Sequence, residues 1–474
     1  MSSDDVVALQ TAPATQEKGL RMRDLILGII CSVFFIDTVA PISAMGVSSL
    51  AWMVIIGLLF FFPGCLVVAE LGSTYPENGG FYAWIKRAYG PLWGARIVWI
   101  YWAGNAIWIS SAITLVVNVF CSIMHLHLSM SSQAIMNVGV IWLVVLFAMR
   151  PVNNTTGLVN FAAIAKIMMA IALLATGFIY LSQGNAPKNS FSWQELTPSY
   201  GEAMIFIPAL IYNFLGFEIM SASGGAIKNP ARDVPIASLI NVLLVIVLNI
   251  IAVAGVLIVV PSKDVNIIEG VVDAFRHGFG DGPIAHLFIY IIGSVYLLVL
   301  MAQALMWILG TSQVAVEAAK NKELPNVLSK VHAKNNSPIG ALIIGGIIST
   351  VVVVFSTLAS SSAQQMFWSI FACTSILLLV PYFVNFEAYL KLKKVDKNIK
   401  RPYVFPGPSW LVPVFVRIAQ FIIACTILFF IWVPGQPVDV NKVTFIILGV
   451  CITLGIGEFL IRRSMKEIKR GSKK

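Results

Sequence analysis

Apolar residues along the chain run in twelve blocks separated by short segments that carry most of the charge. By hydropathy the blocks fall near 25–46, 51–70, 94–122, 133–149, 157–182, 202–225, 236–261, 284–312, 338–358, 365–390, 409–433 and 443–461. A bilayer's hydrocarbon layer, about 30 Å thick, is crossed by a helix of about 20 mostly apolar residues. Each block is therefore read as a span. The pattern predicts an all-α integral membrane protein with twelve transmembrane helices, and leaves no length for a separate soluble domain.

Composition agrees with the pattern. Of 474 residues, 58% are hydrophobic and 11% charged, whereas a soluble domain carries about 25% charge. This excludes a soluble enzyme, a disordered scaffold and a nucleic-acid reader, although the net charge is +10. In a membrane chain the position of the basic residues matters more than their number, because Lys and Arg collect in cytoplasmic loops. With the N-terminus inside, 26 basic residues fall in inner segments and 4 in outer ones, with Lys166 and Arg417 within spans. Both termini are expected to be cytoplasmic. The expected order is a tail (1–24), a ten-helix core (25–392), a basic loop (393–408), helices 11 and 12 (409–461) and a basic tail (462–474) that touches anionic lipid. The N-terminal segment lacks the features of a secretory signal. Six cysteines lie in apolar runs without CxxC spacing and read as packing residues. His125 and His127 lack a third ligand, so neither a metal site nor a cofactor is expected. The run Asn153-Asn154-Thr155-Thr156 resembles a glycosylation acceptor but falls on the inner side.

Two spans carry helix breakers at corresponding places in two five-span halves, 25–182 and 202–392. The first reads SVFFIDTVAPISAMG, with Asp37, Thr38, Pro41 and Gly46. The sixth reads FIPALIYNFLGFEIMSASGG, with Pro208, Asn213, Gly216 and Glu218. Backbone freed inside a membrane is tolerated only where it is buried in protein or lines a wet cavity. Paired interrupted helices point to a transporter site near the midplane; the bland alternative is a simple kink. The acids Asp37 and Glu218 sit beside the breaks, and a carboxylate in a span costs about 2.5–3.5 kcal/mol by insertion scales. Its uses are to bind a cation, take a proton or pair with a base. A structural Asp37–Lys166 pair stands as an alternative to substrate binding. Arg417 lies outside the ten-span core and is expected to snorkel or pair locally, and Glu70 is expected to pair with loop basics.

These residues resemble the amino acid–polyamine–organocation transporters, especially the bacterial arginine/agmatine and glutamate/γ-aminobutyrate exchangers. The resemblance runs from about Arg23 to Phe459. It is carried by AELGSTYPENGGFYAWIKRAYGP (69–91), FLGFEIMSASGGAIKNPARDVPIA (214–237), WILGTSQVAVEAAKNKELP (307–325) and LLLVPYF (377–383). The second stretch is the most specific. The resemblance implies a LeuT-like 5+5 inverted repeat with helices 1 and 6 broken, in a bacterial plasma membrane, with homodimers frequent among relatives. It implies a gating or proton-linked role for Glu218 and substrate-facing positions for Asn105, Tyr212 and Trp307. Lys166 resembles a lysine that replaces the sodium ion of sodium-coupled cousins, which implies sodium independence. The expected binding set is Asp37, Thr38, Ala40, Asn105, Tyr212, Asn213, Leu215 and Trp307. The sequence departs from the family at FFIDTVAP, where a Gly-Ser-Gly-type run usually holds the substrate carboxylate. Asp37 in that region tilts the expected substrate toward a cationic amine or an amino acid/amine couple. A proton-coupled amino acid importer shares every one of these motifs, and a nutrient receptor on the same fold would bind without flux.

Overall fold

The computed structural model describes residues 19–150, 155–198, 202–222, 224–280, 282–333, 336–359, 362–433, 438 and 440–471. The Asn153-Asn154 part of the acceptor-like run and most of the N-terminal tail lie outside these. The helices are α1 (Met22–Val33), α2 (Val39–Ser43), α3 (Ser48–Thr74), α4 (Phe81–Tyr89), α5 (Pro91–Ile123), α6 (Met130–Met149), α7 (Thr155–Ser182), α8 (Ile207–Tyr212), α9 (Pro230–Val259), α10 (Gly270–Phe279), α11 (Pro283–Lys320), α12 (Ile339–Ala359), α13 (Ala363–Val395), α14 (Leu411–Ile431) and α15 (Val440–Gly471). Taking α1 with α2 as one segment, eleven helices among the described residues are long and apolar enough to cross a membrane. An all-helical build follows from the solvent: in hydrocarbon each N–H and C=O needs a partner, and a helix supplies it within one segment.

Several helices outrun the hydropathy blocks. α11 continues to Lys320, α13 to Val395 and α15 to Gly471, so the expected loop 393–408 opens inside a helix and the expected tail 462–474 is helical to 471. Charge ends a hydropathy block but not a helix, since Lys, Arg and Glu are good helix formers once outside the lipid. The connection after α3 likewise holds the amphipathic α4, which buries Phe81, Tyr82, Trp84 and Ile85. Helices approach closely where side chains are small. At Gly255 of α9 a Cβ would fall 2.4 Å from the Leu173 carbonyl carbon of α7, so only glycine permits that crossing.

The connections sort into two ends. At the first, Lys228 N–H donates to the Leu20 carbonyl, Lys86 pairs with Glu323 at 2.6 Å and Arg87 with Asp396 at 2.6 Å. Arg96, near the start of α5, pairs with Glu458 of α15 at 2.7 Å, placing α15's charged end here too. At the second end, Lys188 N–H donates to Ile258 O and Ser122 to Glu269. Between α7 and α9 the chain therefore returns from the second end to the first through the segment that holds α8.

Glu70 is fully buried at the first end. It accepts from Arg401 (2.9 Å), Tyr389 (2.7 Å) and the Phe405 amide (2.8 Å), and Lys393 lies 3.2 Å away. It ties α3 to α13 and to the connection that follows. Arg417 pairs with Glu387 and Gln420, as local pairing requires. The Arg87 guanidinium holds the Asp396 carboxyl below its usual range. Stability from that lowered value is present at neutral pH and fades as pH falls through it.

Removing one partner of a buried ionic cluster costs about 3–5 kcal/mol, against about 0–1 kcal/mol for an exposed pair. Glu70→Ala is expected to lower the melting temperature in detergent far more than Arg87→Gln. Equal shifts would show that the cluster does not hold this end together.

Candidate functional site

The first span breaks at Phe34 and Phe35, where the backbone turns extended (ψ 90 at both). Pro41, the expected breaker, instead sits in the first turn of α2, where helical N–H groups lack intrahelical partners anyway. Pro208 likewise begins α8. The second break follows α8, at Asn213 to Gly216. Gly216 has φ +100, and a Cβ there would lie 2.8 Å from the Trp307 ring and 3.0 Å from Ser32 O. Both the backbone conformation and the space demand glycine. The two breaks touch: the Ser32 hydroxyl lies 3.1 Å from Gly216 O as well as from carbonyls of its own helix.

Side chains from three neighbouring helices, and Asn213 of the other break, satisfy the freed backbone. Lys166 of α7 is wholly buried and donates to Cys31 O (2.6 Å), Phe34 O (2.6 Å) and Gln303 Oε1 of α11 (2.5 Å). An ammonium has three donors and all three are used; its charge also opposes the negative end of α1. Trp307 Nε1 donates to Ser32 O at 3.3 Å. The Phe35 N–H donates to Asn213 Oδ1 at 2.9 Å, and Asn213 donates in turn to Asn249 of α9. The Gly216 N–H donates to the Tyr382 hydroxyl of α13 at 2.6 Å.

Between the breaks lies a layer of buried rings. Phe35 stands 4.9 Å from Tyr212, 5.7 Å from Trp307 and 6.1 Å from Trp108; Tyr212 reaches Phe371 at 4.6 Å. The acids flank the layer. Asp37 follows the first break on the way to the second end of the molecule. Glu218 follows the other break on the way to the first end. Asp37 (4% exposed) accepts from Gln303 Nε2 at 3.1 Å. No Asp37–Lys166 ion pair within 4 Å occurs among the described residues; Gln303 stands between them. Glu218 (3% exposed) accepts from Tyr101 at 2.7 Å and Tyr382 at 2.5 Å. Because Gly216 donates to Tyr382, the tyrosine's own proton is directed to Glu218.

The remaining expected residues divide. Asn105 is buried on α5 and donates to Thr311 Oγ1 at 3.0 Å, one turn from Trp307, while its Oδ1 is buried without a partner. Thr38 is spent on Phe35 O at 2.7 Å. Ala40 is buried and packs against Gly270 of α10. Leu215 is buried in the second break. Sequence reasoning missed Phe35, Trp108, Tyr101, Tyr382 and Gln303. Each is an ordinary apolar or polar residue within a span; the signals near them were FFID for Phe35, Asn105 for Tyr101 and Trp108, Trp307 for Gln303, and LLLVPYF for Tyr382. A cavity of about 460 Å³ opens at the first end, lined by Asn78, Gly225, Glu317, Lys320 and Pro338 among others. No group of three or more His, Cys, Asp or Glu suited to a metal occurs among the described residues.

Lys166→Met keeps the volume but leaves two carbonyls and an amide oxygen without a donor, at about 1–3 kcal/mol for each buried group. We expect a drop of several degrees in melting temperature, measured in detergent. An unchanged melting curve would mean that the first break does not depend on the ammonium.

Comparisons with known proteins bear on this arrangement. The family described as amino acid permease matches residues 23–456. A probable agmatine/putrescine antiporter of Lactococcus lactis is 29% identical over 93% of this chain and 94% of its own length. A glutamate/gamma-aminobutyrate antiporter of the same species is 23% identical over 81% of this chain and 78% of its own. An uncharacterised transporter of Legionella pneumophila is 25% identical over 90% and 92%. With eleven apolar helices, one interrupted return segment and a family match over nearly its whole length, the chain belongs to the amino acid permease family of multi-pass membrane transporters, within the amino acid–polyamine–organocation group.

Proposed function

We propose that the protein exchanges a cationic amine, alone or against an amino acid, by alternating access around the ring layer between the two breaks. The single observation that carries this reading is Asp37: a buried carboxylate beside a helix break, two residues after Phe35 of the ring layer, with the three donors of the nearby lysine used on two carbonyls and Gln303. An ammonium against Asp37 and the Phe35 and Trp307 rings gains both ionic and cation–π attraction, the latter about 0.5–2 kcal/mol. The partnerless Asn105 Oδ1 offers a further acceptor. The agmatine/putrescine antiporter among the relatives supports this substrate class.

In this reading the chain makes twelve crossings, counting the interrupted return. Both termini are cytoplasmic. The core 25–392 holds two inverted halves, 25–182 and 202–392, before the loop, helices 11 and 12, and basic tail. Local likeness supports the repeat: α4 lies between the second and third crossings and ends at Gly90-Pro91, and α10 lies between the seventh and eighth and is followed by Gly282-Pro283. Glu218, between the rings and the side where Gly225 borders the cavity, gates the inner path. Lys166 replaces a sodium ion's charge at the end of α1, so exchange proceeds without sodium. Ligand-driven closure requires that the amine bind the closed state more tightly than the open one.

Counterflow in proteoliposomes loaded with putrescine tests the reading. Asp37→Asn is expected to raise KM for putrescine about tenfold more than KM for a zwitterionic amino acid, the loss of one charged hydrogen bond. Equal loss for both would sink the charge-recognition role, and uptake that needs no internal substrate would point to an importer. Replacing external sodium by potassium is expected to leave the rate unchanged; a severalfold fall would overturn sodium independence.

A further inference from the structure

We propose that Gln303 is a positioning residue for substrate charge: it keeps the buried lysine and the buried aspartate apart and so leaves Asp37 available to a cationic amine. This inference rests on the amine-exchange reading above. Its basis is directional. The Lys166 ammonium can only donate, so the atom of Gln303 that faces it, 2.5 Å away, is the amide oxygen. The amide nitrogen is then forced toward Asp37, where it meets Oδ1 at 3.1 Å. Flipping the amide would set N–H against ammonium and oxygen against carboxylate, losing two hydrogen bonds and adding two repulsions. Gln303 is 1% exposed, so both of its amide partners are held out of contact with bulk solvent.

Without the spacer, opposite charges in a medium this apolar would pair directly. A direct pair would neutralise the aspartate and draw the ammonium from the Cys31 and Phe34 carbonyls. A substrate cation would then have to displace a covalently attached one. The glutamine divides the tasks: Lys166 holds the helix end, and Asp37 faces the ligand with one oxygen oriented by an amide.

The test compares Gln303→Leu, which removes both bonds, with Gln303→Met, which keeps the side-chain length and a weak sulfur acceptor for Lys166 but gives Asp37 no donor. Putrescine counterflow is expected to show KM raised about tenfold in both variants, with the maximal rate changed less than about twofold. The melting temperature of Gln303→Met should show a folded protein at the assay temperature. In a background of Asp37→Asn, adding Gln303→Leu should change KM less than about twofold, since the two residues act through one contact. An unchanged KM in Gln303→Met, or additive effects in the double variant, would overturn the positioning role. If wild type exchanged amino acids but never putrescine, the amine reading would fail and this inference with it. Wild-type putrescine exchange with unaltered variants would remove the inference alone.

Discussion

A carbonyl group inside a bilayer has no water to turn to. A helix that stops midway through the membrane must therefore find donors for its last carbonyls among side chains. Here an ammonium and an indole meet that requirement for the first break: Lys166, delivered by α7, caps Cys31 and Phe34, and Trp307 of α11 reaches Ser32. The second break relies on a tyrosine hydroxyl and on a glycine that lets α1 approach within contact. Each break also contributes to the other, through Ser32 and Gly216 and through Asn213 and the Phe35 amide. The interruptions are thus one structure built from two spans, and neither would persist alone.

What surrounds the breaks follows from this. Where the helices unwind, the backbone yields its place to rings, and Phe35, Tyr212, Trp307 and Trp108 close the interior. The acids take up positions on either side of that layer, with different company. Glu218 is held by two tyrosines, and a hydrogen-bond chain links it to the Gly216 amide, so a change in the bend is felt at the carboxylate. Asp37 is held by a single amide whose orientation is set by a lysine. One acid is coupled to the backbone and the other to a buried lysine through one amide.

Much of the fold was legible in the sequence, because crossing a membrane leaves a plain record of apolar length. The ends of helices were not, since α11, α13 and α15 carry their charges beyond the lipid without ceasing to be helical. The prolines misled in an instructive way. Pro41 and Pro208 marked the interrupted spans, yet both stand in the first turns of short helices, where a missing N–H costs little. The break itself falls at Phe34 and Phe35, two residues with no breaking tendency of their own, and exists because Lys166 arrives from another helix. Gly216 was readable as a break, because its role is local. Asp37, Glu218 and Lys166 stood out because charge is rare in spans. Gln303 and Phe35 did not, because their parts depend on which neighbours they meet, and spacing along the chain does not record that.

The central claim is that the two interruptions form a single cation-reading site with Asp37 at one edge of the ring layer. A structure of the protein in lipid with putrescine bound tests it most directly. The account expects an ammonium of the ligand against the Asp37 carboxylate and beside Phe35 and Trp307, with Lys166 still on the Cys31 and Phe34 carbonyls. A ligand seated away from Asp37, or Lys166 withdrawn from the helix end to pair with that acid, would contradict it.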